Sequence, residues 1–390
     1  VSRSLRRILS LDDFEHAARR YLPGPVFAYV SGAVEDNASY RDNRAAYEEL
    51  GFVPRILVDV SKRSTKAKLL GNEWAAPFGV APMGISALSA YRGDLVLTQA
   101  AAKANIPMAM SGSSLIRLEE IVKSNPLAWF QAYLPGDANK ILPLVDRVAA
   151  AGFSTLVVTV DTAVLSNREN NIRAGFSTPL RPTLRLAWDG VSHPRWLFGS
   201  FLATFVKHGM PHFENSYAER GAPVLSRTVE RDFTGRAHLN WKHVEDIRAR
   251  WKGRLVIKGI MAPEDARIAR ESGMDGIIVS NHGGRQLDGT VSPLRVLPAV
   301  LQEARAMPVM IDGGIRRGTD VLKALALGAA FVWVGRPFNY AAAIAGEEGV
   351  AHAIEILRGE VDRNMALLGV NTLAELGPHH LMKIGGSHGG

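Results

Sequence analysis

The stretch Pro308-Val-Met-Ile-Asp-Gly-Gly-Ile-Arg-Arg-Gly318, followed by Phe331-Val-Trp-Val-Gly-Arg336, decides the fold. Each half opens with a short, almost unbroken apolar run and ends in glycine and charge. Runs of this length read as strands buried on both faces, the mark of a parallel sheet. The segment between them, Arg316–Leu327, has helical periodicity and stops at Gly328, as helices commonly do. A strand, a helix and a second parallel strand follow one another here.

Working outward, six more runs share this character: Pro77–Pro82, Met108–Gly112, Ala128–Tyr133, Thr155–Asp161, Arg254–Gly259 and Gly276–Asn281. Helical segments over Arg92–Ala104, Asp137–Ala151 and Pro263–Ser272 fall between them. Strands and helices alternating over this span predict a (β/α)8 TIM barrel, for which ~250 residues is typical. A doubly wound open sheet would place a GxGxxG fingerprint after its first strand, and none stands there.

The expected organisation is one domain over residues 1–390. Residues 1–76 read as a helical N-terminal cap, 77–174 and 241–390 as the barrel, and 175–240 as an insertion after strand four. That insertion is far longer than a βα loop requires. It interleaves Trp188, Trp196, Phe198, Phe201, Phe205 and Phe213 with Arg181, Arg185, Arg195, Lys207 and His208. Such a mixture suits a lid, a subunit contact, or a segment lying in an anionic membrane interface through 184–213.

Composition narrows the chemistry. The chain has 390 residues, 47% hydrophobic and 22% charged, enough for a substantial core. It has no cysteine, which excludes disulfides, thiolate metal sites and cysteine nucleophiles, and suits a reducing compartment. A formal charge of +8 suits anionic small molecules or a membrane surface better than nucleic acid, because the basic residues form no long run. Val1–Leu11 carries Arg3, Arg6 and Arg7 but no uninterrupted apolar core of a secretory signal,. No stretch reaches the ~18 apolar residues of a spanning helix. The expectation is a cytoplasmic protein, with peripheral association on the membrane's cytoplasmic face left open. No metal site is expected.

A barrel collects its reacting groups at the C-terminal ends of its strands. Here those ends read Gln131-Ala-Tyr133, Thr159-Val-Asp161 with Arg168 beyond, Lys258, Ser280-Asn-His282-Gly-Gly-Arg285, Asp312-Gly-Gly314 and Gly335-Arg336. Singly, each has an ordinary structural reading: Asp161 as a turn former, Lys258 as the partner of Asp161 or Asp312, Tyr133 and Tyr29 as packing residues. Six polar strand ends on one rim make a site the better reading. Glycines at 313, 314 and 335 with Arg316 and Arg336 suit a phosphate between the last two loops.

Taken together, Ser280-Asn-His-Gly-Gly-Arg-Gln-Leu-Asp288 and Asp312-Gly-Gly-Ile-Arg-Arg-Gly318 resemble the FMN-dependent L-2-hydroxy acid dehydrogenase and oxidase family. Tyr29, Ala81-Pro82, Gln131-Ala-Tyr133, Thr159-Val-Asp161 and Ile257-Lys-Gly259 fit the same family. The resemblance covers Leu11 to about Leu381.

It implies His282 as the catalytic base, Asp161 as the stabiliser of its imidazolium, and Tyr133 at the substrate hydroxyl. Arg168, Arg285 and Tyr29 would hold the substrate carboxylate. Ala81, Pro82, Met83, Ser111, Gln131, Thr159 and Ser280 would border FMN. Lys258 would lie near its N1–C2 edge, Arg316, Gly335 and Arg336 would hold its phosphate, and Asp312 and Gly314 would also contact the cofactor. Whether His282 takes the α-proton or the hydroxyl proton stays open, as does oxygen against a quinone as acceptor. Small residues at Ser111-Gly-Ser113-Ser114 imply a pocket wide enough for L-lactate or a larger, aryl acid such as mandelate. Gly84 and the insertion tilt the reading toward a quinone-type acceptor, with a peroxide-forming oxidase as the alternative. Family members are often tetramers, so a homo-oligomer is implied.

Two related readings fit less well. IMP dehydrogenase-like barrels use a cysteine, and type 2 isopentenyl diphosphate isomerase-like barrels do not need His282 with two carboxylate-ready arginines. A non-catalytic scaffold would be expected to lack one or more rim residues.

Overall fold

The computed structural model describes residues 5–226 and 236–384. Arg3, residues 227–235 of the expected insertion and the last six residues of the expected barrel segment lie outside that description. Eight strands form one parallel sheet: β1 (Phe78–Val80), β2 (Ala109–Ser111), β3 (Trp129–Tyr133), β4 (Thr155–Thr159), β5 (Arg254–Ile260), β6 (Gly276–Val279), β7 (Val309–Asp312) and β8 (Phe331–Val334). Their hydrogen-bonded order is β1-β8-β7-β6-β5-β4-β3-β2. A parallel bridge from Val80 to Met108 closes β1 on the approach to β2. The result is the (β/α)8 barrel, each strand lying within its predicted run except β5, which continues one residue past Gly259 to Ile260.

Side chains alternate between two apolar layers. Ala109, Trp129, Val157, Val256, Ile278, Met310, Phe331 and Trp333 pack together inside the barrel. Their neighbours, such as Leu156, Val158, Leu255, Ile257, Ile277 and Ile311, belong to the layer shared with the helices. Burial of each such aliphatic side chain is favourable by roughly 1.5–3 kcal/mol. The period of two has a direct consequence for function. Two residues beyond each inward apolar group, the same inward row reaches the rim: Ser111, Gln131, Thr159, Lys258, Ser280, Asp312 and Gly335.

The N-terminal segment departs in part from its helical expectation. Helices α1 (Leu11–Tyr21), α2 (Gly24–Ser31) and α3 (Ala38–Glu48) are present. A capping box starts α1: Ser10 Oγ accepts from the Asp13 N–H at 3.3 Å, and the Asp13 carboxylate accepts from the Ser10 N–H at 2.9 Å. Beyond α3 the chain is extended. Leu50–Phe52 pairs antiparallel with Leu381–Lys383, and Ala67–Leu69 pairs with Asn72–Trp74. The hairpin turns through Leu70 and Gly71, both at positive φ, the conformation a two-residue hairpin loop needs. Ala67, Leu69 and Trp74 join the inner barrel cluster, so the hairpin supplies apolar surface there that no helix could insert in period two.

Between β4 and β5 the insertion forms short helices at Leu184–Val191, Pro194–Trp196 and Ala203–His208, joined by a π-helical turn over Leu197–Leu202. Trp196 is only 5% exposed, and its indole N–H donates to the Leu88 carbonyl at 2.8 Å. Phe213 is also buried, whereas Trp188, Phe198 and Phe205 are not. The aromatic residues thus divide into anchors and an outward face. No helix among the described residues is long and apolar enough to cross a membrane.

Candidate active site

A cavity of about 880 Å³ opens at the C-terminal rim, within the range of small-molecule and cofactor sites. Of the residues expected from sequence, Tyr29, Ala81, Pro82, Met83, Gln131, Tyr133, Thr159, Arg168 and Lys258 line it, with His282, Arg285, Asp312, Gly314, Arg316, Gly335 and Arg336. Ser111, Asp161 and Ser280 stand behind this lining and brace it. One site therefore gathers groups spread over more than three hundred positions.

At its centre, His282 Nδ1 lies 3.0 and 3.1 Å from the two carboxylate oxygens of Asp161. The opposite ring nitrogen, Nε2, is 3.4 Å from the Tyr133 hydroxyl. His282 sits at φ +58, a backbone conformation uncommon for a side chain of this size. Its own N–H donates to Ser280 Oγ at 3.0 Å. Lys258 Nζ donates to the same oxygen at 2.6 Å and pairs with Asp312 at 2.8 Å. Lys258 thus has the Asp312 partner, and Asp161 is left to the histidine.

The charges follow from these contacts. Burial pushes the His282 imidazole below its ordinary value; Asp161 opposes this without reversing it. Burial pushes Asp161 up, but His282 and Lys258 together hold its carboxyl below the usual range. Lys258 stays above its ordinary value despite burial, because Asp312 and Asp161 favour its ammonium form. A neutral imidazole with an ionised carboxylate at Nδ1 leaves Nε2 as the proton-accepting nitrogen.

The arginines form a second cluster. Arg285 donates to the Gly32 carbonyl at 2.7 Å, and its guanidinium stands 5.2 Å from the Tyr29 ring centroid. Arg336 donates to the carbonyls of Val30, Gly32 and Gly283, each at 3.0 Å. Val30 and Gly32 lie at the C-terminus of α2, where unsatisfied carbonyls attract cations. Burial, then Arg168 and Arg336 nearby, push Arg285 down to about 9; a guanidinium still stays charged at neutral pH. Among the described residues no carboxylate is within ion-pair distance of Arg168, Arg285 or Arg336, and this concentration of positive charge suits an anion.

Arg316 lines the same cavity and also reaches α1. Its guanidinium lies 3.3 Å from Asp12 and 3.6 Å from Glu15 of α1, while its N–H donates to Asp320 at 2.9 Å.

Several lining groups did not stand out in the sequence. Phe176 stacks on Tyr29 with centroids 4.5 Å apart. Arg236 stands 5.7 Å from the Tyr133 ring centroid. Gln286 bridges Asp161 and Arg168. None carries a local signal, since each contact joins segments distant in sequence.

The residues fit a flavin. Gln131 Nε2, Thr159 Oγ1 and Asp312 Oδ1 are buried without a hydrogen-bond partner, an arrangement costly unless a polar ligand meets it. Gly313 and Gly314 are at positive φ, and a Cβ on Gly314 would fall 1.9 Å from the Asn43 carbonyl oxygen. The backbone there can only be glycine, leaving its amides open beside the cavity.

The family described as FMN-dependent dehydrogenase matches residues 18–383. (S)-mandelate dehydrogenase of Pseudomonas putida is 35% identical, over 97% of this chain and 95% of its own. L-lactate dehydrogenase of Ectopseudomonas mendocina is 38% identical, over 95% and 98%. Among solved structures, a monotopic membrane protein (S)-mandelate dehydrogenase superposes with a TM-score of 0.86 at 33% identity, covering 96% of this chain and 99% of that one. A mandelate oxidase superposes with a TM-score of 0.79 at 34% identity, over 96% and 98%. The chain is a member of the FMN-dependent dehydrogenase family, an oxidoreductase of the 2-hydroxy acid class.

Proposed function

We propose that this enzyme oxidises an L-2-hydroxy acid, L-lactate or a larger aryl acid such as mandelate, to the 2-oxo acid and passes the electrons to a quinone-type acceptor. The observation that carries the reading is the line Asp161, His282, Tyr133 beside the Arg168–Arg285 cluster. The two arginines hold the carboxylate, because a planar guanidinium pairs a carboxylate through two parallel hydrogen bonds. That fixes the carbinol carbon in front of His282. His282 Nε2 takes a proton from the substrate, and Asp161 stabilises the imidazolium as it forms. The Tyr133 hydroxyl, held above its ordinary range chiefly by burial, stays protonated and donates to the substrate oxygen.

FMN, when bound, accepts the two electrons. Gln131, Thr159 and Ser111 would border its ring, and Lys258 would provide fixed positive charge beside it. Gly314, Gly335 and Arg336 would hold its phosphate end, with Arg316 in the same cavity beside them.

Two features support the acceptor and its setting. A Cβ on Gly84 would lie 2.9 Å from the Tyr29 hydroxyl, so the structure is built around glycine at this position. On the insertion, Leu184, Trp188, Phe198 and Val206 are all more than 60% exposed, alongside Arg185, Arg195 and Lys207. Apolar groups flanked by cations suit peripheral binding to an anionic membrane, where a quinone would be met. The test is turnover of a panel of L-2-hydroxy acids with a soluble quinone under nitrogen and with oxygen alone. Formation of the 2-oxo acid only with quinone supports the reading. Equal turnover in air with peroxide release replaces the acceptor, and no 2-oxo acid with either rejects the function.

A further inference from the structure

Gln286 is the residue after Arg285, and both ends of its amide are engaged. Nε2 donates to the main-chain oxygen of Asp161 at 2.8 Å. Oε1 accepts from Arg168 Nη2 at 2.7 Å and from Ser166 Oγ at 3.3 Å. The side chain thus ties the loop after β6 to the end of β4 and to the loop beyond it.

That second loop has little else to fix it. Val164 and Leu165 are each 67% exposed, so apolar burial does not set its course. Arg168 is held by polar contacts instead: Nε donates to Ser166 Oγ at 3.0 Å and to the Arg285 carbonyl at 3.3 Å, while Nη2 goes to Gln286. These bonds use one edge of the guanidinium and leave Nη1 for a ligand. A neutral acceptor at Nη2 orients the group without cancelling its charge, which a carboxylate would do. Asp161 is steadied through its main chain, so its carboxylate remains free for His282.

We propose that Gln286 is a positioning residue that couples the substrate-carboxylate clamp at Arg168 to the aspartate behind the base. The inference rests on the function proposed above for Arg168 and His282. It explains why the position carries an amide: only a group with one donor and one acceptor satisfies both neighbours while staying uncharged.

The test compares Gln286→Leu and Gln286→Glu in the FMN-loaded enzyme, following flavin reduction by the best hydroxy acid, FMN content and thermal stability. Removal of a hydrogen bond to a charged group predicts a KM raised about tenfold or more in the leucine variant, with kcat falling less. The glutamate variant keeps the shape and pairs with Arg168 but has no donor for the Asp161 main-chain oxygen,, so its thermal stability and FMN content are measured beside its kinetics. It is predicted to raise KM at least as much, and to move the acid limb of the rate profile to higher pH because its charge favours protonated His282. A filler role predicts the reverse order: glutamate harmless, leucine unstable. Unchanged KM in both variants, or loss confined to stability and FMN content, overturns the inference while parental flavin reduction preserves the function. A parent that no hydroxy acid reduces overturns both.

Discussion

Asp161 presents both carboxylate oxygens to Nδ1 of His282, at 3.0 and 3.1 Å, from a strand end 121 residues away in sequence. The contact settles which ring nitrogen is free for chemistry. It also sets a balance, because burial lowers the proton affinity of the imidazole while the carboxylate raises it.

That balance predicts a pH profile. A base works when neutral, and burial places His282 below its ordinary value of 6.5. Flavin reduction should therefore persist below pH 6.5 and fall only as pH drops through the lowered value. Asp161→Asn removes the group that opposes burial, so the acid limb should move further down. The maximal rate should drop roughly 10²-fold or more, since the imidazolium loses its stabiliser. A limb that moves upward would contradict the assignment. The measurement is kcat/KM against pH for both proteins.

Gly84→Ala should disturb substrate binding while leaving FMN in place. The added Cβ meets the Tyr29 hydroxyl at 2.9 Å and Ser113 Cβ at 3.0 Å, contacts that require movement. Tyr29 is the softer neighbour, and its displacement should raise KM by about tenfold, the value of one hydrogen bond to a charged group. Steady-state kinetics with equal FMN content checks this; an unchanged KM would remove Tyr29 from the carboxylate site.

The Lys258–Asp312 pair is a matter of stability as well as chemistry. Both side chains are largely buried and 2.8 Å apart. Lys258→Met should leave Asp312 as an uncompensated buried charge, costing on the order of 3–5 kcal/mol. Lower Tm and lower FMN content are expected, with Tm partly restored by adding Asp312→Asn. Calorimetry of the single and double variants decides it, and an unaffected single variant would refute the coupling.

The outward face of the insertion is best probed by point changes, because Trp196 and Phe213 are part of the core. Trp188→Ser with Phe198→Ser should lower co-sedimentation with anionic vesicles several-fold and leave flavin reduction intact. Equal sedimentation would point instead to a lid or subunit contact.

Much of this molecule is legible along the chain because barrel strands are local signals. Continuous apolar runs mark them, and the inward row delivers Gln131, Thr159, Lys258 and Asp312 to the rim by parity alone. The segment before the barrel is harder. Residues 67–74 are too short to show a period, and their pairing and insertion depend on contacts with barrel strands distant in sequence. The Arg316 contact with Asp12 and Glu15 was equally hidden, because an arginine's reach is set by what packs above it. Gln286 stood inside the most telling motif without revealing its role, which appears only when three loops meet.

The most direct measurement is anaerobic rapid mixing of the FMN-loaded enzyme with L-lactate and with (S)-mandelate, beside the His282→Gln variant. At least one acid is expected to bleach the parental flavin and neither to bleach the variant, which keeps its FMN. A variant reduced as fast as the parent, or a parent left oxidised by both acids, would contradict the proposed chemistry.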